Sequence, residues 1–381
     1  MAEAAHRGTD RLGSIQALRF VAAAMVVFDH SSVLTVAVTG RYGMFSSEHF
    51  ARLGGAGVDI FFVISGLVIT LTGPLAVRRP SGAAFFWRRW SRVTPMFWLL
   101  TIPTLMCFSI TGPVSPYGAG GPMNTPQTIA TLFFWPVAND QLIVPPYLSQ
   151  GWTLCLEMLF YVAVSCVLIG GKIRRNLLWL SLAMATIVWA RWTFQTAPLR
   201  LLANRMFIEF GFGVVLALLL PKLRNLPPIL TAPLLAITVA FYLFNGTVGE
   251  FGADDWRATL WDANAVARIL LFGVPAVSLV TAALILERSF AGPVAGALAR
   301  LGDASYSIYL VHTLVLLGLL QAWRATGLHP APWLVLTSGW VIAIGGGLAA
   351  NIVLERPLQK RLRHLGSTSS LWSRSVRSAT G

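Results

Sequence analysis

The first apolar stretch of the chain carries two ionisable side chains whose spacing lets them act together. In "LRFVAAAMVVFDHSSV", residues 18–33, Arg19 and His30 are 11 positions apart. On an α-helix this spacing returns to within about 20° after three turns, so both side chains share one face, about 16 Å apart along the axis. An imidazole can act as a general base or a nucleophile, and a guanidinium group binds anions. Asp29 points about 100° away and is expected to serve a different contact.

Polar residues recur in later apolar stretches. Asp59 and Ser65 interrupt "GVDIFFVISGLVIT", and "WTLCLEMLFY" contains Trp152 and Glu157. A charge at such a depth costs on the order of 3 kcal/mol, which a water-filled or protein-lined interior offsets. The alternative is a hydrogen-bonded pair that fixes helix packing, and a tryptophan at a helix end is typical of an interface anchor.

The segment "LGDASYSIYLVH" places polar side chains at helical spacing. Ser305, Tyr309 and His312 follow at i, i+4 and i+7 and form one stripe, which is either part of a site or a helix–helix contact. Of the chain's six histidines, only His30 and His312 fall within apolar stretches.

The basic segment "FFWRRWSRVTP" offers a candidate anion site. Arg88 and Arg92 stand at i, i+4 and can present two guanidinium groups to one phosphate-bearing ligand. Arg89 is expected to project elsewhere and to serve membrane topology.

The elements that must position these residues are membrane helices. The chain has 381 residues, of which 55% are hydrophobic and 12% are charged, where a soluble domain has about 25% charged residues. In hydrocarbon every backbone polar group must bond internally, so long apolar runs are helices. We therefore predict an all-α, polytopic membrane helical bundle of about ten transmembrane helices, near 15–36, 56–75, 93–112, 151–170, 176–194, 205–220, 228–246, 268–286, 304–322 and 332–354.

The basic residues orient this bundle. The formal net charge is +14, and most of the 29 Lys and Arg residues fall in segments on one side of the predicted spans. By the positive-inside rule both termini are cytoplasmic, and the charge distribution argues against a nucleic-acid partner. We expect a cytoplasmic N-terminal segment at 1–14, a membrane domain at 15–360 and a disordered cytoplasmic tail at 361–381. The Gly/Pro-rich segment 113–150 is predicted to be an outer loop whose apolar part, "TIATLFFWPV", lies on the membrane or caps a cavity.

Five motifs in this order resemble the acyltransferase-3 family of integral-membrane O-acyltransferases, over roughly residues 12–360. They are "SIQALRFVAAAMVVFDH", "GVDIFFVISG", "FFWRRWSRVTPMFW", "WTLCLEMLFY" and "LGDASYSIYLVH". The "SIQALRF" start is most similar to the subgroup that modifies exopolysaccharides.

The resemblance implies transfer of an acyl group, usually acetyl, from acyl-CoA to a hydroxyl group, often on a carbohydrate, in the bacterial cytoplasmic (inner) membrane. It makes Arg19 and His30 the essential pair and points to Arg88 and Arg92, Ser65 and Glu157. No metal is expected, since the three cysteines, Cys107, Cys155 and Cys166, do not have the spacing of metal ligands.

The mechanism that we expect centres on His30. It is either the general base for the acceptor hydroxyl or a transient acyl carrier, with Glu157 orienting His30 or a sugar hydroxyl. Arg19 would hold part of the CoA or line the donor channel, with Arg88 and Arg92 holding the CoA phosphates. The further candidates for donor or substrate binding are Asp59, Ser65, Trp152, Tyr309 and His312.

Two other functions are compatible with parts of this pattern. A transporter or flippase of sugars or lipid-linked glycans would also need many spans and a polar interior, although the paired broken helices of many transporters are not evident. An intramembrane serine protease could use Ser65 with a histidine, but no G-x-S-x-G nucleophile elbow surrounds this serine.

Overall fold

The structure of the protein is a computed structural model of the whole chain. It describes residues 12–42, 53–73, 75, 81–111, 124–135, 137–139, 142–144, 146–148, 150–168, 173–189, 204–248 and 269–362. The predicted N-terminal segment and C-terminal tail lie almost entirely outside these residues.

The described residues form a helical bundle with one small β-ribbon. Strands β1 (Val137–Asn139) and β2 (Leu142–Val144) pair in antiparallel orientation. A π-helical turn, Ile269–Gly273, leads into α9, and a second, Asn351–Glu355, continues α12. The helices are α1 (Gly13–Thr39), α2 (Ala56–Thr72), α3 (Gly82–Thr111), α4 (Thr125–Leu132), α5 (Gly151–Val167), α6 (Ile173–Trp189), α7 (Met206–Leu223), α8 (Thr231–Val248), α9 (Val274–Leu286), α10 (Pro293–Asp303), α11 (Ser305–Thr326) and α12 (Pro332–Ala350).

The all-α prediction is confirmed in its coarse form. Each of the ten apolar runs coincides with a helix, and within the described residues six helices are long and apolar enough to cross a membrane. The number of crossings and the orientation of the termini stay predictions. Helices α4 and α10 were not predicted, because short or amphipathic helices do not register as apolar runs.

Helix α3 begins earlier than predicted, at Gly82 instead of residue 93. Its first turns contain both aromatic and basic residues, so they are not apolar enough to read as a span. Phe85 is nevertheless buried, 6.3 Å from the ring of Tyr161, and this packing anchors the first turn. The arginines of this segment therefore lie on a formed helix within the bundle.

Helix α1 is held at several points along its length. At its start the Glu287 carboxylate accepts hydrogen bonds from the backbone N–H groups of Gly13 and Ser14 at 2.8 and 3.0 Å, which satisfies donors that an α-helix leaves unpaired. Further along, the Trp340 indole of α12 donates to the carbonyl of Ala24 at 2.8 Å. These contacts fix the helix that carries Arg19 and His30.

Helices α2 and α7 cross at two glycines. A Cβ atom added to Gly66 would lie 2.1 Å from the Phe210 carbonyl oxygen, and one added to Gly213 would lie 2.1 Å from that of Val63. Small residues at such crossings let membrane helices approach closely. The crossing sets the position of Ser65, which lines the cavity described below.

Substitution of Gly213 by alanine is therefore expected to destabilise the protein by about 1–3 kcal/mol, because the backbones must separate. Thermal unfolding in detergent would measure the loss. Gly211→Ala is the matched control, since its nearest neighbour would be Ser181 Cβ at 3.5 Å, an ordinary contact. Equal melting temperatures for the two variants would show that the crossing is not close-packed.

The segment 124–135, within the predicted outer loop, contains a short helix that packs on the bundle. That it lies on the membrane or caps a cavity stays a prediction. Asn124 caps α4 by accepting from the Gln127 N–H at 2.8 Å. After the helix, Phe134 has a φ of 58°, in a region that costs a side-chain-bearing residue on the order of 1–3 kcal/mol. Its buried ring lies 4.6 Å from Phe97 and 5.6 Å from Trp90, which offsets this cost.

Candidate active site

A polar cavity lies between helices α1, α2, α3, α5, α7 and α11. It encloses about 910 Å³ of space, including the part open to solvent. Apolar side chains form much of its wall, and the polar groups are arginines, a carboxylate and hydroxyls. These polar residues are Arg19, Ser65, Arg89, Arg92, Thr153, Glu157, Tyr161, Ser305, Tyr306 and Tyr309.

The cavity brings together five of the residues proposed from the sequence as catalytic or ligand-binding. Arg19, Ser65, Arg92, Glu157 and Tyr309 come from five different helices and all line it. Because these helices are far apart in the chain, the convergence follows from tertiary packing alone. It concentrates three guanidinium groups, counting Arg89, around a single carboxylate.

The structure places only one member of the predicted Arg88–Arg92 pair on the cavity wall, and the binding of one anion by both arginines stays a prediction. Arg88 is exposed and is not among the lining residues, whereas Arg89, which we expected to project elsewhere, lines the cavity with Arg92. On a helix Arg89 is about 60° from Arg92 and about 100° from Arg88. The buried Phe85, one turn before Arg89, turns this face inward, and Arg89 lies 5.8 Å from the centre of that ring and hydrogen-bonds to Thr72.

The carboxylate of the cavity is held by a tyrosine on its own helix. The Tyr161 hydroxyl donates to Glu157 Oε1 at 2.6 Å, and the two residues are one turn apart on α5. Glu157 is half-buried, while Tyr161 is fully buried. The contact fixes the direction of one carboxylate oxygen and leaves the other able to accept from a ligand hydroxyl.

Two tyrosines of α11 close one side of the cavity. The Tyr306 hydroxyl donates to the Val93 carbonyl at 2.7 Å, which ties α11 to α3. Tyr309 and Thr153 share a hydrogen bond of 2.9 Å between α11 and α5. Tyr161, Tyr306 and Thr153 were not predicted; the only sequence signal was their position beside, or one turn from, residues that were.

His30 lies beside this cavity, in a contact with the other histidine of the apolar stretches. His30 Nδ1 is 2.7 Å from His312 Nε2, and the two ring centres are 4.8 Å apart. His312 is fully buried and its ring lies 5.9 Å from that of Tyr309, a cavity residue. His30 itself is half-buried and is not among the described residues that line the cavity.

The shared face of Arg19 and His30 meets the polar stripe of α11. Arg19 and Ser305 line the same cavity. Further along the same two helices, His30 contacts His312. The stripe therefore both joins two helices and lines a site, so neither of its two interpretations excludes the other. The contact between the histidines, 282 positions apart, was not predicted.

Two further candidates lie away from the cavity wall. Asp59 is fully buried in the first turn of α2, but it is six residues from Ser65 and so about 120° around the helix. Trp152 is half-buried, with its ring 6.4 Å from Phe62, a cavity residue. Neither side chain is among the lining residues, so any contact with a ligand would be indirect.

The donor chemistry of the described residues does not suggest a metal centre. No group of three or more His, Cys, Asp or Glu side chains that could hold an ion occurs in this part of the chain. The polar groups that converge in the cavity are mainly cationic or hydroxyl-bearing, which suits an anionic organic ligand.

A bundle of apolar helices around an arginine-lined cavity defines an integral-membrane protein with a site suited to an anionic ligand, and sequence comparison identifies its family. The family model described as "Acyltransferase domain", of the acyltransferase-3 type, matches residues 12–354. The chain belongs to this family and is a multi-pass membrane O-acyltransferase. This assignment decides against the transporter and protease alternatives.

Two named proteins are similar to this chain over most of its length. The exopolysaccharide production protein ExoZ of Rhizobium meliloti (strain 1021) is 30% identical over 332 residues, which cover 86% of this chain and 96% of ExoZ. The acyltransferase MdmB of Streptomyces mycarofaciens is 26% identical over an alignment that covers 92% of each chain. No solved structure matches significantly.

Proposed function

We propose that this enzyme moves an acetyl group from acetyl-CoA to a hydroxyl group of a carbohydrate, such as an exopolysaccharide or a lipid-linked glycan. It would do so in the bacterial cytoplasmic membrane, which it crosses about ten times with both termini in the cytoplasm. Residues 15–360 would form the catalytic membrane domain. The similarity to ExoZ favours an exopolysaccharide, and the similarity to MdmB favours acyl transfer.

The observation that carries the proposal is the convergence of Arg19, Arg89 and Arg92 in one cavity with a single carboxylate. Acyl-CoA is multiply anionic, and guanidinium groups bind phosphate through two parallel hydrogen bonds. Arg92 is exposed, so the arginine end of the cavity reaches the protein surface. By the positive-inside prediction this is the cytoplasmic side, where acyl-CoA is made. Arg19 and Ser65 would line the path of the thioester arm.

His30 would perform the transfer at the far end of this path. As a general base, His30 takes the proton of the acceptor hydroxyl while the hydroxyl oxygen attacks the thioester carbonyl. The C–S bond breaks, and CoA leaves as the thiol after it takes that proton from the imidazolium. As a carrier, the imidazole nitrogen attacks the thioester carbonyl first, and the C–S bond breaks with CoA leaving as the thiolate. The acceptor hydroxyl then attacks the acyl-imidazole, the C–N bond breaks, and the hydroxyl proton ends on the thiolate. In both schemes Tyr309, which lines the cavity and whose ring lies 5.9 Å from that of His312, would stand between the donor path and the histidines.

Glu157 would orient the acceptor hydroxyl. Its side chain is fixed by Tyr161 and faces the same cavity as Tyr309, and a carboxylate accepts readily from sugar hydroxyls. Trp152, at the start of the same helix, would support the glycan end, and Asp59 would act through the packing of α2.

The proposal is tested with purified protein in lipid nanodiscs, supplied with labelled acetyl-CoA and a panel of glycans. We expect free CoA thiol to be released in proportion to acetyl ester formed on one of the glycans, as mass analysis would measure. Glycan movement across the bilayer without thiol release would overturn the proposal. Label on His30 in the absence of acceptor would identify the carrier scheme.

A further inference from the structure

The contact between His30 and His312 restricts where their protons can be. Two ring nitrogens 2.7 Å apart share one hydrogen, so one nitrogen donates and the other accepts. A neutral imidazole carries one N–H, and which nitrogen bears it is set by the partner of the other nitrogen. The contact at the other nitrogen of His312 therefore decides the direction of the bond.

The backbone of α11 supplies that second contact. His312 Nδ1 lies 3.2 Å from the carbonyl oxygen of Ile308, one turn earlier. A carbonyl oxygen only accepts, so His312 Nδ1 bears the hydrogen and Nε2 carries the lone pair. His30 Nδ1 must then be the donor to His312, which leaves the lone pair of His30 on Nε2.

We infer that His312 is a positioning residue that holds His30 in its Nδ1–H tautomer, with Nε2 as the atom that takes a proton or an acyl group. The inference rests on the proposed role of His30. His312 has no exposed surface, so its ring is held in one orientation by its packing. When His30 gains a proton on Nε2, His312 continues to accept from Nδ1 and stabilises the imidazolium.

The direct test is ¹⁵N solid-state NMR of the full-length protein, labelled at histidine, in lipid. His30→Gln and His312→Gln proteins assign the two signals among the six histidines. We expect neutral His30 to be protonated at Nδ1, with a coupling across the hydrogen bond to His312 Nε2. An Nε2–H tautomer at His30 would overturn the inference whatever the activity of the enzyme.

Two substitutions of His312 separate positioning from packing. In His312→Gln the amide oxygen can still accept from His30 Nδ1, whereas His312→Phe keeps an aromatic ring but offers no acceptor. We expect His312→Phe to lower kcat about 10–100-fold, the loss of activity typical when a metal-bound histidine loses its orienting partner. The KM for the donor should stay unchanged. His312→Gln should recover most of this loss and keep the Nδ1–H signal.

Equal kcat values for the two variants would overturn the inference, because a packing role does not distinguish an acceptor from a hydrocarbon ring. If His312→Phe does not fold, the wild-type tautomer and the His312→Gln activity still decide. Failure of the proposed function would be seen in a different measurement. In that case the His30→Ala protein would keep its activity, whichever tautomer the NMR spectrum shows for His30.

Discussion

Replacement of His30 by alanine is expected to lower kcat for acetyl transfer by about 10²–10⁴-fold, the usual contribution of a positioned acid–base group. The physical reason is that alanine provides neither an acceptor for the hydroxyl proton nor a nucleophile for the thioester. Both proposed roles of His30 therefore predict the same loss. CoA thiol release by the purified variant, measured with saturating donor, gives kcat directly.

The donor affinity of this variant should stay close to that of the wild type, because the arginines that we assign to the CoA phosphates belong to α3. His329→Ala is the matched control: His329 is exposed in the connection between α11 and α12 and should keep full activity. A folded His30→Ala protein with wild-type turnover would exclude His30 as base and as carrier.

The helices of this protein could be predicted because the bilayer leaves so few options to the backbone. Each of the ten long apolar runs coincides with a helix. The errors occur where a segment is helical without being continuously apolar. Helix α3 starts at Gly82 because aromatic packing at Phe85 continues the helix through a basic segment. Helix α10, which contacts α1 closely at Gly302, is short and amphipathic.

Part of the site could also be predicted, from helical periodicity alone. The 11-residue spacing of Arg19 and His30 and the stripe at Ser305, Tyr309 and His312 each lie along one face of a helix. Periodicity cannot show which helices are neighbours. That depends on crossings such as Gly66 with Gly213, where a side chain on either residue would clash with backbone.

Because periodicity does not show which helix face packs inward, it could not show that Arg89, and not Arg88, lines the cavity with Arg92. Both arginines are within one helical turn of Arg92, so spacing alone allows either pair to bind one anion. The choice depends on which face of α3 packs inward, and Phe85 determines this by its burial against α5. A buried aromatic four residues before an arginine was the available signal, but it gains meaning only when its partner helix is known.

The faces of α1 and α11 that meet carry different chemical groups at different positions along the bundle. Cationic groups collect at the end where Arg92 is exposed, and the imidazoles lie beyond Tyr309. A thioester donor bound by its phosphates would thus present its acyl end toward the histidines. Binding energy from the nucleotide part, remote from the reaction, could then position the thioester.

Removal of two cavity arginines should weaken the donor more than it slows the chemistry. A hydrogen bond to a charged group contributes about 1.5–3 kcal/mol, so we expect Arg89→Gln or Arg92→Gln to raise the KM for acetyl-CoA roughly 10–150-fold. The double variant should lose more, and the effect should shrink as ionic strength rises. Initial rates of thiol release across donor concentrations and salt would measure this.

Arg174→Gln is the matched control, because this arginine is exposed in the first turn of α6 and does not line the cavity. The decisive comparison is Arg88→Gln, which is expected to resemble the control within about threefold, because Arg88, unlike the equally exposed Arg92, does not line the cavity. An Arg88→Gln protein as impaired as Arg92→Gln, beside an unaffected Arg89→Gln protein, would restore the pairing suggested by the i, i+4 spacing. In that case the donor phosphates would lie outside the cavity, on the exposed face of α3.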